Sequence, residues 1–286
     1  METARTSEAM RLRVAAAKQA GLSVGLVPTM GALHAGHRSL VRQAKAECGF
    51  VVVSIFVNPT QFGLGEDYQD YPRSPEADLA ACREEGVDLV FSPDVDEVYP
   101  GQAVTTVRVT GLTEGLCGPH RPGHFDGVCT VVAKLFHMVS PDVAFFGEKD
   151  YQQLQVIRRM VADLNMPVQI VGCPTVREPD GLALSSRNAL LSATQRRQAA
   201  HLYQAMRQAA DAVSEGGTQA SRLIQQMEAA IREAGPCDID YVKIVHPDSL
   251  MEIEEVTGPA RICLAVRIGR ARLIDNLAVA GRSKAR

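Results

Sequence analysis

The stretch Val51-Val52-Val53-Ser54-Ile55-Phe56-Val57, followed at once by Asn58-Pro59-Thr60-Gln61-Phe62, decides how this chain is read. Seven uncharged residues, most of them β-branched, leave no polar face for solvent, so the run reads as a strand buried on both sides. That is the central strand of a parallel sheet covered by helices. Working outward, shorter runs of the same texture at 24–27, 87–91, 104–109, 143–146 and 168–171 are further strands. Between them Val128, Val131, Val132, Leu135, Phe136 and Val139 recur at the spacing of a helix with one buried face. Leu154, Ile157, Val161 and Leu164 do the same, as do Leu40, Val41, Ala44 and Cys48 more weakly. Strand and helix in alternation predict an α/β fold with a Rossmann-like doubly wound parallel sheet.

Past Pro174 the texture changes. Two long helical patterns, one through Ala199, Leu202, Met206 and Val213 and the other through Leu223, Met227 and Ile231, are separated by the turn Glu215-Gly216-Gly217. Apolar strands follow at 239–245 and 262–268. The expected organisation is a Rossmann-like domain over residues 1–176 and a smaller C-terminal α+β domain over residues 177–286. A chain of 286 residues suits this division, because one core rarely grows past about 250–300 residues.

Lys and Arg number 30 against 33 Asp and Glu, a formal charge of −3. That balance, with no Trp and 5% aromatic residues, argues against a nucleic-acid partner and leaves room for a local basic pocket. Seven cysteines, an odd number without a C-x-x-C pair, read as reduced thiols of a cytoplasmic protein. Cys117, His120, His124 and Cys129 are spaced superficially like a zinc set. The loop that carries them holds Pro119 and Pro122 rather than a knuckle, and no metal site is read there. The Arg-containing amino terminus includes Glu2 and Glu8 and lacks an apolar core, so it is not a secretory signal. No window approaches the ~20 apolar residues that span a bilayer, and no membrane partner is expected.

Doubly wound sheets bind ligands at the carboxyl ends of their strands, and the residues there are polar and specific. After the first strand comes Pro28-Thr29-Met30-Gly31-Ala32-Leu33-His34-Ala35-Gly36-His37. His34 and His37 lie one turn apart at a helix start, beside unpaired N–H groups and the positive end of the dipole, a place for phosphate and equally for two solvent-facing caps. Asn58 and Gln61 after the second strand offer uncharged donors and acceptors for a hydroxyl or carboxylate, or simply a turn. Gly147-Glu148-Lys149-Asp150-Tyr151-Gln152-Gln153 puts a cation at a helix start, where it opposes the dipole unless an oxyanion sits nearby; Asp150 suits the N-cap and Gln153 a place facing the same pocket as Gln61. Ser185-Ser186-Arg187 can donate to polyphosphate or cap a helix. Neither a P-loop nor a G-x-G-x-x-G motif is present.

Together these blocks carry a family resemblance. His34-Ala35-Gly36-His37 resembles the H-x-G-H signature of nucleotidylyl transferases. Val27-Pro28-Thr29-Met30-Gly31, Asn58 to Phe62, Arg121-Pro122-Gly123-His124-Phe125, Phe146 to Asp150, Gly181 to Asn188 and Ala271-Arg272-Leu273-Ile274-Asp275-Asn276 resemble the pantothenate synthetase family, the pantoate–β-alanine ligases. The resemblance implies an ATP-dependent ligase of pantothenate and coenzyme A biosynthesis. It would adenylate pantoate with Mg-ATP, release pyrophosphate, and pass the acyl group to β-alanine to give pantothenate and AMP. It implies His37, His34 and Lys149 as catalytic residues, His37 being the proton donor. It places ATP against Met30, Gly31, Ala32, Leu33, His34, Ala35, Gly36, His37, Gly147, Glu148, Lys149, Asp150, Val176, Leu184, Ser185, Ser186 and Arg187. Pantoate falls to Gln61 and Gln153, and β-alanine to Gln61. Arg121 and His124 lie in a loop near the substrate cleft, the C-terminal domain is a lid, and the protein is a homodimer.

Two departures stand out. Ala35 occupies a position that is usually acidic in the family, and Met1-Glu2-Thr3-Ala4-Arg5-Thr6 is polar where an apolar strand usually begins, so a sheet lacking that first strand is expected. Two alternatives remain. An adenylyltransferase for a phosphorylated substrate needs a second basic pocket in place of Gln61 and Gln153, and a non-catalytic nucleotide sensor has no use for those glutamines.

Overall fold

The computed structural model describes residues 1–63, 66 and 68–281. In chain order the elements are β1 (Glu2–Ala4), α1 (Ser7–Gln19), β2 (Val24–Thr29), α2 (Ala35–Glu47), β3 (Phe50–Ile55), α3 (Pro75–Glu84), β4 (Leu89–Phe91), α4 (Val95–Val98), α5 (His124–Val139), β5 (Val143–Gly147), α6 (Tyr151–Asp163) and β6 (Gln169–Cys173). Then come α7 (Ala193–Ser214), α8 (Ala220–Glu233), β7 (Asp238–Val245), β8 (Pro259–Ile268) and β9 (Ala271–Ala280). They form two compact units. The first is Met1–Thr110, Arg121–Glu148 and Gln153–Pro174; the second is Gly111–His120, Lys149–Gln152 and Thr175–Arg286.

This division differs from a single cut after residue 176, because two short segments group with the second unit. Those segments hold each other. Gln152 accepts from the Cys117 N–H through Oε1 and donates through Nε2 to the carbonyls of Leu112 and Gly115, each at 2.9 Å. Residues 282–286 of the expected second domain lie outside the described residues.

The first unit is built on a parallel sheet of order β1-β4-β3-β2-β5-β6. The chain steps outward from β2 through β3 to β4, then returns to the other side of β2 for β5 and β6. That reversal is a topological switch point, where doubly wound sheets open a ligand crevice. Val51, Val52 and Val53 are fully buried at its centre, as the sequence predicts. Val27, Val53, Val90 and Phe145 pack with Leu40, Val41 and Ala44 of α2. Helix α5 buries Val128, Val131, Val132, Leu135, Phe136 and Val139.

Two sequence expectations need correction. The polar amino terminus does form a strand: β1 pairs parallel with β4, Ala4 opposite Phe91. It is an edge strand, so Glu2 and Thr3 stay exposed while only Ala4 is buried, and main-chain bonds from Glu2 N–H to Asp88 and from Ser92 N–H to Ala4 hold it. Conversely, 104–109 is not a strand. Val104 is 89% exposed, and Val107 N–H donates to Thr130 Oγ1 at 3.0 Å. The run has β propensity without a ladder partner, and propensity alone does not make a strand.

In the second unit α7 and α8 bury Ala199, Leu202, Met206, Ala209 and Val213, and Leu223, Met227 and Ile231. These share a core with Val242, Ile244, Ile262, Leu264 and Val266 of an antiparallel sheet ordered β7-β8-β9. Strand β9, absent from the sequence expectation, forms its edge. Among the described residues no helix is long and apolar enough to cross a membrane.

Candidate active site

Each group of candidate residues begins with backbone geometry. After β2, Gly31 and Ala32 take left-handed conformations, with φ of 83° and 50°. The turn they make presents the N–H groups of Ala32 and Leu33 to the buried Asp78 carboxylate of α3, at 2.9 and 2.7 Å. Glycine is needed at 31 twice over, since a Cβ there would be strained and would lie 2.9 Å from Asp78 Oδ2.

The turn delivers His34 as the N-cap of α2. Its Nδ1 accepts from Gly36 N–H at 3.1 Å, and Nδ1 of His37 accepts from the His34 N–H at 3.3 Å, a reciprocal capping box made of two imidazoles. The ring centroids are 4.1 Å apart. With each Nδ1 accepting from main chain, the proton of a neutral ring sits on Nε2. Two N–H donors are thereby set at the positive end of a helix, where an anion is stabilised. The cap and phosphate readings of the sequence are thus compatible.

After β3, Asn58 organises the next turn. Its Oδ1 accepts from Tyr99 OH at 2.8 Å and Thr60 Oγ1 at 3.0 Å, and its Nδ2 donates to Gly127 O at 3.1 Å and Gln61 Oε1 at 3.2 Å. The Gln61 amide also reaches Met30 Sδ at 3.0 Å. Gly127 belongs to α5, and a Cβ there would sit 2.3 Å from Thr60 O, so glycine permits the helix to approach this turn. From the start of the same helix His124 Nδ1 donates to Gln61 O at 2.8 Å. His124 Nε2 meets Arg121 Nη1 at 3.0 Å, and Arg121 in turn pairs with Glu66 at 2.8 and 2.6 Å. Burial alone would raise the Glu66 carboxyl, but hydrogen bonds and charge from Arg121 hold it below the usual carboxylate range. Gln153 is half-buried in this unit.

The second unit carries Lys149 in a 3-10 turn, Glu148–Asp150, that leads into α6. Its Nζ lies 3.7 Å from Asp150 Oδ2. Val176 and Leu184 are joined by a main-chain bond of 3.0 Å, from Leu184 N–H to Val176 O, across a tight turn at Gly181. Ser185 caps the short 3-10 helix Ser186–Leu190, its Oγ accepting from Arg187 N–H at 3.2 Å. The capping role read for the serines is present.

The sequence residues therefore fall into two sets. Met30 meets Gln61, and His34 meets His37, in the first unit, to which Gly31 also belongs, while Lys149, Val176, Leu184, Ser185, Ser186 and Arg187 belong to the second. Sequence reasoning missed Asp78, one aspartate among several in a helix, and Tyr99; no local spacing signals either. Among the described residues no group of three or more His, Cys, Asp or Glu side chains could hold a metal ion. Cys129 is buried in α5, its thiol pushed up to about 12 by desolvation, whereas Cys117 lies in the second unit against Tyr241 OH at 3.2 Å.

A parallel sheet with a switch point beside β2, and a paired-histidine helix start at the carboxyl end of that strand, define an α/β protein of the doubly wound class. Comparison with known proteins narrows the class. The family described as Pantoate-beta-alanine ligase matches residues 2–278, and the chain belongs to that family. It is 52% identical over 277 residues to a pantothenate synthetase of Moorella thermoacetica, covering 97% of this chain and 98% of the relative. It is 54% identical over 279 residues to one of Sphingopyxis alaskensis, covering 98% and 100%. A crystal structure of the pantothenate synthetase from Thermus thermophilus superposes with a TM-score of 0.91 at 50% identity, covering 97% of this chain and 99% of the other. The pantoate-beta-alanine ligase of Francisella tularensis, complexed with beta-gamma ATP and beta-alanine, superposes at 0.82 and 35% identity, covering 97% of each chain.

Proposed function

We propose that this chain joins pantoate to β-alanine at the expense of ATP through a pantoyl adenylate. In the first step a pantoate carboxylate oxygen attacks the α-phosphorus of ATP, and the bond from that phosphorus to the bridging oxygen breaks, releasing pyrophosphate. In the second the β-alanine amine attacks the acyl carbon, AMP leaves with the bond electrons, and the amine loses a proton. Attack at phosphorus needs alignment and charge neutralisation more than a protein nucleophile.

In this reading His34 and His37 donate from Nε2 to the phosphates and to charge gathering on the departing pyrophosphate, with His37 as proton donor. Lys149 adds a positive charge, and Ser185, Ser186 and Arg187 donate to the outer phosphates. Asp150 and Val176 meet the nucleoside. Gln61 and Gln153 hold pantoate, and Gln61 also borders β-alanine. Magnesium enters on the phosphate oxygens as part of the nucleotide substrate. Residues 1–176 carry most of the ATP and pantoate groups and 177–286 act as the lid. A cytoplasmic homodimer belongs to the same reading, and the seven cysteines, all free thiols, are consistent with a reducing compartment.

The observation that carries the proposal is the histidine pair at the start of α2, each Nδ1 accepting a main-chain N–H, which fixes both rings at the positive end of the helix dipole where an anion is stabilised. Its test is isotope exchange. Labelled pyrophosphate should enter ATP when pantoate is present and β-alanine absent, and AMP should accumulate only when both acids are supplied. Exchange that ignores pantoate would overturn the adenylate mechanism.

A further inference from the structure

The block Ala271 to Asn276 resembles the family yet has no place in the chemistry above. Strand β9, which carries it, is the edge of a three-stranded sheet. An edge strand ordinarily alternates a buried and a wet side chain. Here two consecutive polar residues are both buried, Asp275 at 4% and Asn276 at 5% exposure. Burying polar groups in adjacent positions lowers stability relative to apolar ones unless every contact is made. Their partners show what they hold.

Arg177 places its guanidinium fork on Asp275, Nη1 to Oδ2 at 2.6 Å and Nη2 to Oδ1 at 2.9 Å. The same fork donates to Gly181 O at 3.0 Å and Asn276 O at 3.2 Å, and it stacks on Tyr203 with 4.0 Å to the ring centroid. Asp275 Oδ1 also accepts from the Asn276 N–H at 2.7 Å. The main chain of Asn276 is thus pinned through both its N–H and its carbonyl. Its side chain then donates from Nδ2 to the main-chain carbonyl of Lys149 at 2.9 Å, across 127 residues of sequence.

We infer that Asn276 is a positioning residue for Lys149, holding the main chain from which the ammonium group is presented while Arg177 and Asp275 hold Asn276. A lysine has four rotatable bonds, so its head is placed no better than its backbone. A turn outside a regular helix has few bonds of its own to fix it. The same Arg177 fork also holds Gly181, at the turn that leads to Ser185, Ser186 and Arg187. One buried cluster of the second unit therefore sets both the lysine turn and the start of the serine loop. This inference rests on the proposal that Lys149 meets phosphate.

The test is a double-mutant cycle of Asn276→Asp and Lys149→Ala, read by pantoate-dependent pyrophosphate exchange and by steady-state kinetics. Aspartate keeps the size of asparagine but cannot donate to a carbonyl when ionised. In the wild-type background Asn276→Asp should lower turnover at least about tenfold, with the KM for pantoate unchanged, since small misplacements are costly in rate. With Lys149→Ala already present it should cost at most about twofold, because the group it positions is gone. If Asn276→Asp does not fold, Asn276→Ser, too short to reach the carbonyl, replaces it in the same cycle. Equal losses in both backgrounds would mean a general structural defect and would overturn the inference, as would no loss in the wild-type background. If Lys149→Ala alone leaves exchange intact, the role of Lys149 itself is wrong. If Lys149→Ala is damaging and Asn276→Asp is not, only the positioning role is lost.

Discussion

At the histidine turn groups that fix the imidazoles are near neighbours in sequence: His34 caps onto Gly36 and His37 caps onto His34, while Asp78 reaches in from another helix to the turn before them. At the lysine turn the fixing group is Asn276, a strand away and near the far end of the chain, pinned by Arg177 and Asp275. Both devices fix a residue that the proposed function assigns to phosphate, yet they differ in what can damage them. A local cap forms with its helix and fails only when its own residues change. A remote anchor is as good as the whole sheet that carries it, so packing losses in the second unit should reach the lysine and leave the histidines in place.

The largest effect should come from removing the chemistry itself. His37→Ala should lower turnover at least about a hundredfold, because it removes a donor to charge that develops in the transition state. Its stability loss should stay near ~1 kcal/mol, the usual worth of a cap. Circular dichroism and denaturant unfolding separate the two quantities. Near-normal turnover in the folded variant would remove His37 from the mechanism and leave the turn as a cap alone.

A second change probes a remote element of the histidine turn. Asp78→Ala leaves the N–H groups of Ala32 and Leu33 without their carboxylate in a partly buried turn, which should destabilise the protein by about 2–4 kcal/mol. Turnover should also fall, since Ala32 has no glycine-like freedom to keep its left-handed φ of 50° unaided. Unfolding by urea measures the first effect and pyrophosphate exchange the second. Unchanged stability would show that the turn is held by α2 alone, and the contrast between the two regions would then be complete.

The same contrast explains what was legible in the sequence. The run at 51–57 declared a doubly buried strand because it leaves no polar face, and His34 and His37 declared a helix start because their spacing is local. Asp78 gave no signal and Asn276 stood in a resembling block without a role, because what they do is set by which residues the fold brings to them, 46 and 127 positions away. The polar strand Glu2–Ala4 was misread because edge pairing needs main-chain bonds more than apolar side chains, and 104–109 was misread because β-branched residues do not supply a neighbouring strand. Strand β9 escaped because Asp275 and Asn276 interrupt its apolar pattern, and those two residues are the anchor.

The smallest effect concerns the electrostatic share of remote fixation. Glu66 pairs with Arg121, which touches His124 Nε2 while His124 Nδ1 holds the Gln61 carbonyl. The folded Glu66 carboxyl lies below its usual range, so the unfolded chain binds more protons between the folded value and about 4.3. The stability contributed by the pair is therefore fully present above about pH 4.3 and is lost as pH falls through the folded value. Because Glu66 keeps 24% of its side chain exposed, solvent screening limits this contribution to about 1 kcal/mol or less. Urea unfolding of the wild type and Glu66→Gln from pH 7 downward should show a stability gap at neutral pH that closes in acid. Added salt should narrow the neutral gap as well, since a partly exposed pair is screened. A gap that stayed constant with pH would mean that the carboxylate acts by shape and packing, and that Arg121 holds the Gln61 turn without needing its charge partner.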